Sequence, residues 1–144
     1  MNMDLEKILP HKKPMILIDD IIDFSREDES IKSVVTINEN SMFYDDTIKG
    51  VSSCIGIEYM AQTIGCFAFL NDKLKEPKPG FLLGSRLYDM KTDKFLLNEK
   101  YYITAKRIFS EENIISFECK MLDEEKQEIA TATLNVYQGS EMNI

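Results

Sequence analysis

A chain of 144 residues, 44% of them hydrophobic, has the length of one domain spanning 1–144 and should bury roughly 68–70% of its unfolded surface. With 25 acidic residues against 17 basic ones the net charge is −8, which excludes nucleic acid as the main partner because phosphate binding needs a basic surface. Cys54, Cys66 and Cys119 are widely spaced, lie in apolar sequence and form no C-x-x-C pair, so they read as buried structural thiols in a reducing cytoplasm.

The first residues lack a basic stretch followed by an apolar run, so no export signal is expected and the expected location is cytoplasmic. Residues 4–9 predict a short helical piece stopped by Pro10. Residues 15–24 are rich in β-formers, a charged turn follows at 26–29, and 31–37 reads as the returning strand of a hairpin.

Residues 53–70, SCIGIEYMAQTIGCFAFL, predict a long helix with almost no face to give to water. Glu58 and Gln62 interrupt it, and it is slightly short for a membrane span, so a buried soluble helix is expected and no membrane partner. A carboxylate buried without a partner costs several kcal/mol, so Glu58 must be paired, protonated or used.

Pro77, Pro79 and Gly80 mark a loop, and FLLGSRLY at 81–88 reads as a strand in which Gly84 admits a close neighbour. Three more strands follow at 101–109, 114–122 and 129–137. Ile115, Phe117, Cys119 and Met121 share one face of the second, and Ala130, Ala132, Leu134 and Val136 one face of the third. Two strands, one apolar helix and four strands imply an α+β hot-dog architecture, a long central helix wrapped by a curved antiparallel sheet. In that arrangement Gly56, Ala61, Gly65 and Ala68 would let helix and sheet come close, while Ile57, Met60, Ile64 and Phe67 fill the concavity.

Three motifs then carry a resemblance across residues 5–138. LPHKKPMILID at 9–19, EYMAQ at 58–62 and FLLG at 81–84 resemble the 3-hydroxyacyl-acyl-carrier-protein dehydratases. GIEYMAQ at 56–62 and LLGSR at 82–86 are most similar to the dehydratase-like branch associated with aryl-polyene biosynthesis.

The resemblance implies a symmetric dimer with joined sheets and sites at the interface, where a histidine of one chain and the helix carboxylate of the other act on the substrate. The implied reaction is reversible loss of water from a 3-hydroxyacyl thioester, one group taking the proton beside the carbonyl and another protonating the departing hydroxyl. Amides at the helix start, around Cys54, Ile55 and Gly56, would receive the charge on the thioester oxygen.

Two positions depart from the family pattern. Where the active dehydratases carry their catalytic histidine, an ungapped alignment gives Tyr44, and Ser52 and Ser53 replace the proline-glycine before the helix, as candidate N-caps. The single histidine, His11, aligns with the N-terminal motif histidine and reads as structural.

Three readings of the site follow. Tyr44, Asp45 or Asp46 takes the missing role beside Glu58; or the chain is a partner subunit whose Glu58 completes the site of a histidine-bearing hot-dog chain, or which is non-catalytic and merely holds acyl chains; or Glu58 activates water in a thioesterase. The dimer is accordingly a homodimer or a heterodimer. Gln62 either orients Glu58 or satisfies an enclosed polar group. Arg86 either grips a phosphate of the pantetheine arm or is solvated, and Lys73, Lys75, Lys78, Lys91, Lys94 and Lys100 either form a docking surface for an acidic carrier protein or are solvated loop charge. Acyl-carrier protein or coenzyme A thioesters are the expected substrates. No Gly-rich phosphate loop, metal-ligand spacing or G-x-S-x-G elbow occurs, so no cofactor and no metal are expected.

Overall fold

The computed structural model describes residues 4–73, 81–112 and 114–137, with the side chains of 81–83, 85 and 86 outside that description. A six-stranded antiparallel sheet wraps one α-helix. With the short strands included, the elements are β1 (Asp20–Ser25), β2 (Ser30–Thr36), β3 (Tyr44–Asp45), β4 (Gly50–Ser52), α1 (Gly56–Asn71), β5 (Phe81–Met90), β6 (Lys94–Leu96), β7 (Lys100–Glu111), β8 (Ile114–Leu122) and β9 (Glu128–Tyr137). The large sheet runs β1-β2-β7-β8-β9-β5, and β3-β4-β6 form a small sheet beside the start of α1. This is the expected hot-dog arrangement.

Period-2 patterning sets the large sheet. Phe117, Cys119 and Met121 on β8 and Ala130, Ala132, Leu134 and Val136 on β9 are buried under the helix, the faces that alternation in the sequence indicates. Phe67 joins the C-terminal half of α1 to Phe24 and Phe117, with ring centroids 5.7 and 5.6 Å apart. Tyr59 joins the N-terminal half to Phe95, which in turn meets Tyr101, at 5.6 and 5.2 Å. Inside the core, Thr63 gives its single hydroxyl proton to the Tyr59 carbonyl at 2.9 Å, so Ser33 must be the donor in the 2.6 Å contact between the two hydroxyls. At the far end the Arg26 guanidinium donates to the Leu70 carbonyl at 2.7 Å, placing positive charge on the negative end of the helix.

Four expectations are corrected. The segment before β1 is not part of a long strand, since only Asp20–Ser25 pairs along β2. Met15 and Leu17 are instead held by the buried Gln62 amide, whose Nε2 donates to the Met15 carbonyl at 2.6 Å and whose Oε1 accepts from Leu17 N–H at 2.8 Å. The residue 4–9 piece is a 3-10 turn at Leu5–Lys7, too short to bury a stripe.

The helix itself is not enclosed on all sides. Met60, Ile64 and Phe67 face the sheet, whereas Ile57, Ala61, Gly65 and Ala68 are only half-buried on the opposite side. Gly65 meets Leu9 of the N-terminal segment, 3.0 Å from where a Cβ would stand, rather than the sheet. The stretch Ser53–Asn71 is apolar and long enough by composition to cross a membrane, yet more than half of it is buried in the fold, as in a core helix.

The cysteines divide likewise. Cys66 and Cys119 are buried, and burial pushes both thiols up to about 12, but Cys54 is exposed beside the helix start. A thiol reagent at pH 8 should therefore modify Cys54 rapidly and the other two only on unfolding; three equally slow thiols would contradict the placement of Cys54.

Gln62→Leu removes both partners of the Met15–Leu17 backbone at once. It should cost about 2–6 kcal/mol in denaturant unfolding, on ~1–3 kcal/mol for each of the two buried groups left unpaired, and should speed exchange of the Leu17 amide.

Candidate functional site

Glu58 lies in the first turn of α1, and its side chain is exposed. No hydrogen bond or ion pair to another described residue holds it. Its neighbours three and four residues away are Cys54, Ile55, Ala61 and Gln62, and the half-buried Ala61, Gly65 and Ala68 continue from it along the side of the helix that the sheet leaves uncovered. The expectation of a carboxylate buried within its own chain is thus corrected: the sheet covers the side of α1 opposite Glu58. None of the described cavities is lined by it.

The start of the helix is built with care. Gly50 has no room for a side chain, since a Cβ would overlap the Phe95 carbonyl oxygen, and this close approach lets β4 pair with β6. Ser53 N–H then donates to the Asp93 carbonyl at 3.1 Å. Ser52 serves as the expected cap, its hydroxyl accepting from Cys54 N–H at 3.2 Å. The Ser53 carbonyl accepts both from Gly56 N–H and from the Tyr88 hydroxyl. Two of the three amides expected to face a thioester oxygen, those of Cys54 and Gly56, are therefore engaged within the chain. Ile55, half-buried, is the N-cap residue of α1 and makes no side-chain cap.

The acidic loop before the helix is committed elsewhere. Asp45 accepts from the Thr47 N–H at 2.9 Å and from its hydroxyl at 2.6 Å, bonds that hold its carboxyl below the usual carboxylate range. Asp46 pairs with Lys49 at 2.9 Å. Tyr44 is half-buried on β3 opposite Val51, and its phenol is pushed up by burial and then by the Asp46 charge. No described hydrogen bond joins any of the three to Glu58.

Gln62 likewise turns from Glu58 to the N-terminal segment. Gly84 sits at a register irregularity of the edge strand β5, with no described residue within 4 Å of where a Cβ would stand. Arg86 has its backbone in β5 and its side chain outside the described residues. Of the six lysines, Lys75 and Lys78 lie outside the described residues, Lys73, Lys91 and Lys100 are exposed, and Lys94 is half-buried.

His11 is half-buried and its Nδ1 has no hydrogen-bond partner among the described residues. At the end of the first motif Asp19 accepts from Thr36 N–H at 2.7 Å, and burial raises its carboxyl above the ordinary value. Among the described residues no group of three His, Cys, Asp or Glu side chains is arranged to hold a metal.

Sequence reasoning missed Tyr88 and Phe95 at the helix start. Their only signal was Gly56, a glycine inside a helix whose backbone angle, φ −55°, asks for none.

Comparison with known proteins agrees with this fold. The FabZ 3-hydroxyacyl-[acyl-carrier-protein] dehydratase of Fusobacterium nucleatum is 28% identical over 113 residues, covering 67% of this chain and 78% of the relative. The solved dehydratase heterocomplex ApeI:P from Xenorhabdus doucetiae superposes with a TM-score of 0.86 at 24% identity, covering 99% of this chain and 95% of the other. The Escherichia coli PaaI protein shares the fold more distantly, with a TM-score of 0.65, 8% identity and coverage of 83% and 82%. The family model described as ApeP-like, ApeP dehydratase, matches residues 3–144, and the chain belongs to that dehydratase family.

Proposed function

We infer that this chain carries one half of a hot-dog dehydratase site: Glu58 works on a 3-hydroxyacyl thioester in a dimer whose second hot-dog chain brings the histidine that position 44 lacks. The observation that supports this reading is the exposed Glu58, without a partner among the described residues, on a helix side of small residues. A carboxylate in that setting is ready to be covered. Asp45 and Asp46 are poor substitutes for the histidine, because each is already bonded within its own turn.

In the completed site one group removes the proton beside the thioester carbonyl and the other protonates the hydroxyl, which leaves as water and yields the enoyl thioester. The relative from Xenorhabdus doucetiae is described as a heterocomplex, and a heterodimer is the assembly we favour here. Acyl-carrier protein or coenzyme A thioesters are the substrate class, fatty-acid or polyene-type biosynthesis the setting, and the cytoplasm the site of action. No cofactor enters the reaction.

The test is enoyl formation from 3-hydroxyacyl thioesters on carrier protein, with the purified chain alone and with a histidine-bearing hot-dog chain that co-purifies with it. Turnover should require both chains, and Glu58→Gln should lower kcat by about 10²–10⁴-fold without dissociating them. Enoyl formation by the chain alone would return the missing role to Tyr44, Asp45 or Asp46, and thiol release without enoyl product would make it a thioesterase.

A further inference from the structure

Ser53 is the point at which the elements around the candidate site converge. It is 4% exposed, its N–H is held by the Asp93 carbonyl, and its own carbonyl accepts from Gly56 N–H and from the Tyr88 hydroxyl. Tyr88 comes from β5, where it pairs across the sheet with Ala132, whose small, 4% exposed side chain leaves room for the ring to turn toward the helix.

Gly56 fits under that ring. A Cβ there would overlap the Tyr88 hydroxyl and stand 3.2 Å from the end of the Phe95 ring. The Gly56 backbone is ordinary right-handed helix, φ −55° and ψ −35°, so its dihedrals do not require glycine. Glycine costs about 1 kcal/mol against alanine in a helix interior, and the contact with Tyr88 accounts for its presence.

We propose that Tyr88 is a positioning residue which, by holding the Ser53 carbonyl, fixes the direction of the first turn of α1 and so aims Glu58, two residues beyond Gly56, at the thioester; this rests on the reading of Glu58 given above. The hydroxyl serves the backbone and not the substrate, since its proton is spent on the Ser53 carbonyl. Burial, and after it the neighbouring Cys54, pushes the phenol up to about 12, so it stays a neutral donor throughout the working pH range.

Tyr88→Phe keeps the ring and removes the donor. In the full chain, alone and with its partner, amide exchange at residues 54–58 should speed at least about tenfold while the rest of α1 keeps its protection. In the active complex kcat should fall about 10- to 100-fold with KM within about twofold, because small errors in aim cost rate rather than binding. Gly56→Ala, which displaces the same hydroxyl and leaves Tyr88 in place, should reproduce both effects and stands in should Tyr88→Phe fail to fold.

Unchanged exchange at 54–58 would overturn the proposal whatever the activity, and faster exchange with unchanged kcat would reduce Tyr88 to a structural cap and overturn it as well. A wild-type complex without turnover would sink the reading of Glu58 alone, and the exchange measurement would still decide for or against the Tyr88 clamp.

Discussion

A helix apolar around most of its circumference lies against a sheet that can cover only one side of it. Met60, Ile64 and Phe67 take the covered side, and packing there accounts for the core. The other side is managed by reduction: Ala61, Gly65 and Ala68 present little apolar area, and Glu58 adds a charge that water solvates. Such a face tolerates exposure yet offers a close, flat approach to another surface. Covering it would strip water from the carboxylate and strengthen every electrostatic interaction it makes. On the proposed function, the feature that keeps the single chain tolerable in water is also what would make its carboxylate useful once covered.

Because the carboxylate sits on the helix, its aim depends on how the helix is held, and the holds are unequal. At the C-terminal end Arg26 touches exposed carbonyls, a contact of modest worth at a surface. Midway, Gln62 acts as a piece of strand edge, giving Met15 and Leu17 the donor and acceptor that a neighbouring β-strand would give. At the start, backbone from the β5–β6 loop, the Ser52 hydroxyl and the Tyr88 phenol all converge within a few residues of Glu58. The density of polar contacts rises toward the carboxylate.

The large sheet was legible where its strands alternate, in β9 and most of β8, more than in β1 and β2. There buried and outward residues repeat, and a slip of one register would turn Phe117 or Leu134 to solvent. The small sheet was not legible: β3, β4 and β6 are two or three residues long, too short to show a period, and tertiary pairing alone defines them. Composition misled in one place. A helix with a single charged residue on its far side reads as fully enclosed, but small residues satisfy the same pattern while half-exposed, and only the structure separates the two. For Glu58 the sequence identified the residue and its neighbours, and misjudged its surroundings for this reason.

Asp45 and Asp46 illustrate why proximity in sequence to a motif is weak evidence of a role. Both precede the helix in a loop where a proton carrier is wanted, and both have acidic oxygens. Yet a turn that reverses the chain between β3 and β4 needs acceptors for its free N–H groups, and Asp45 supplies one to Thr47 while Asp46 neutralises Lys49. Freeing Asp45 would take from the Thr47 N–H the acceptor it has in the turn that leads into β4, whereas the exposed Asp46–Lys49 pair adds little to that turn. On the proposed function, the loop that would have to replace the histidine is the loop that leads into the helix carrying Glu58, and the reading therefore looks for the missing group on a second chain.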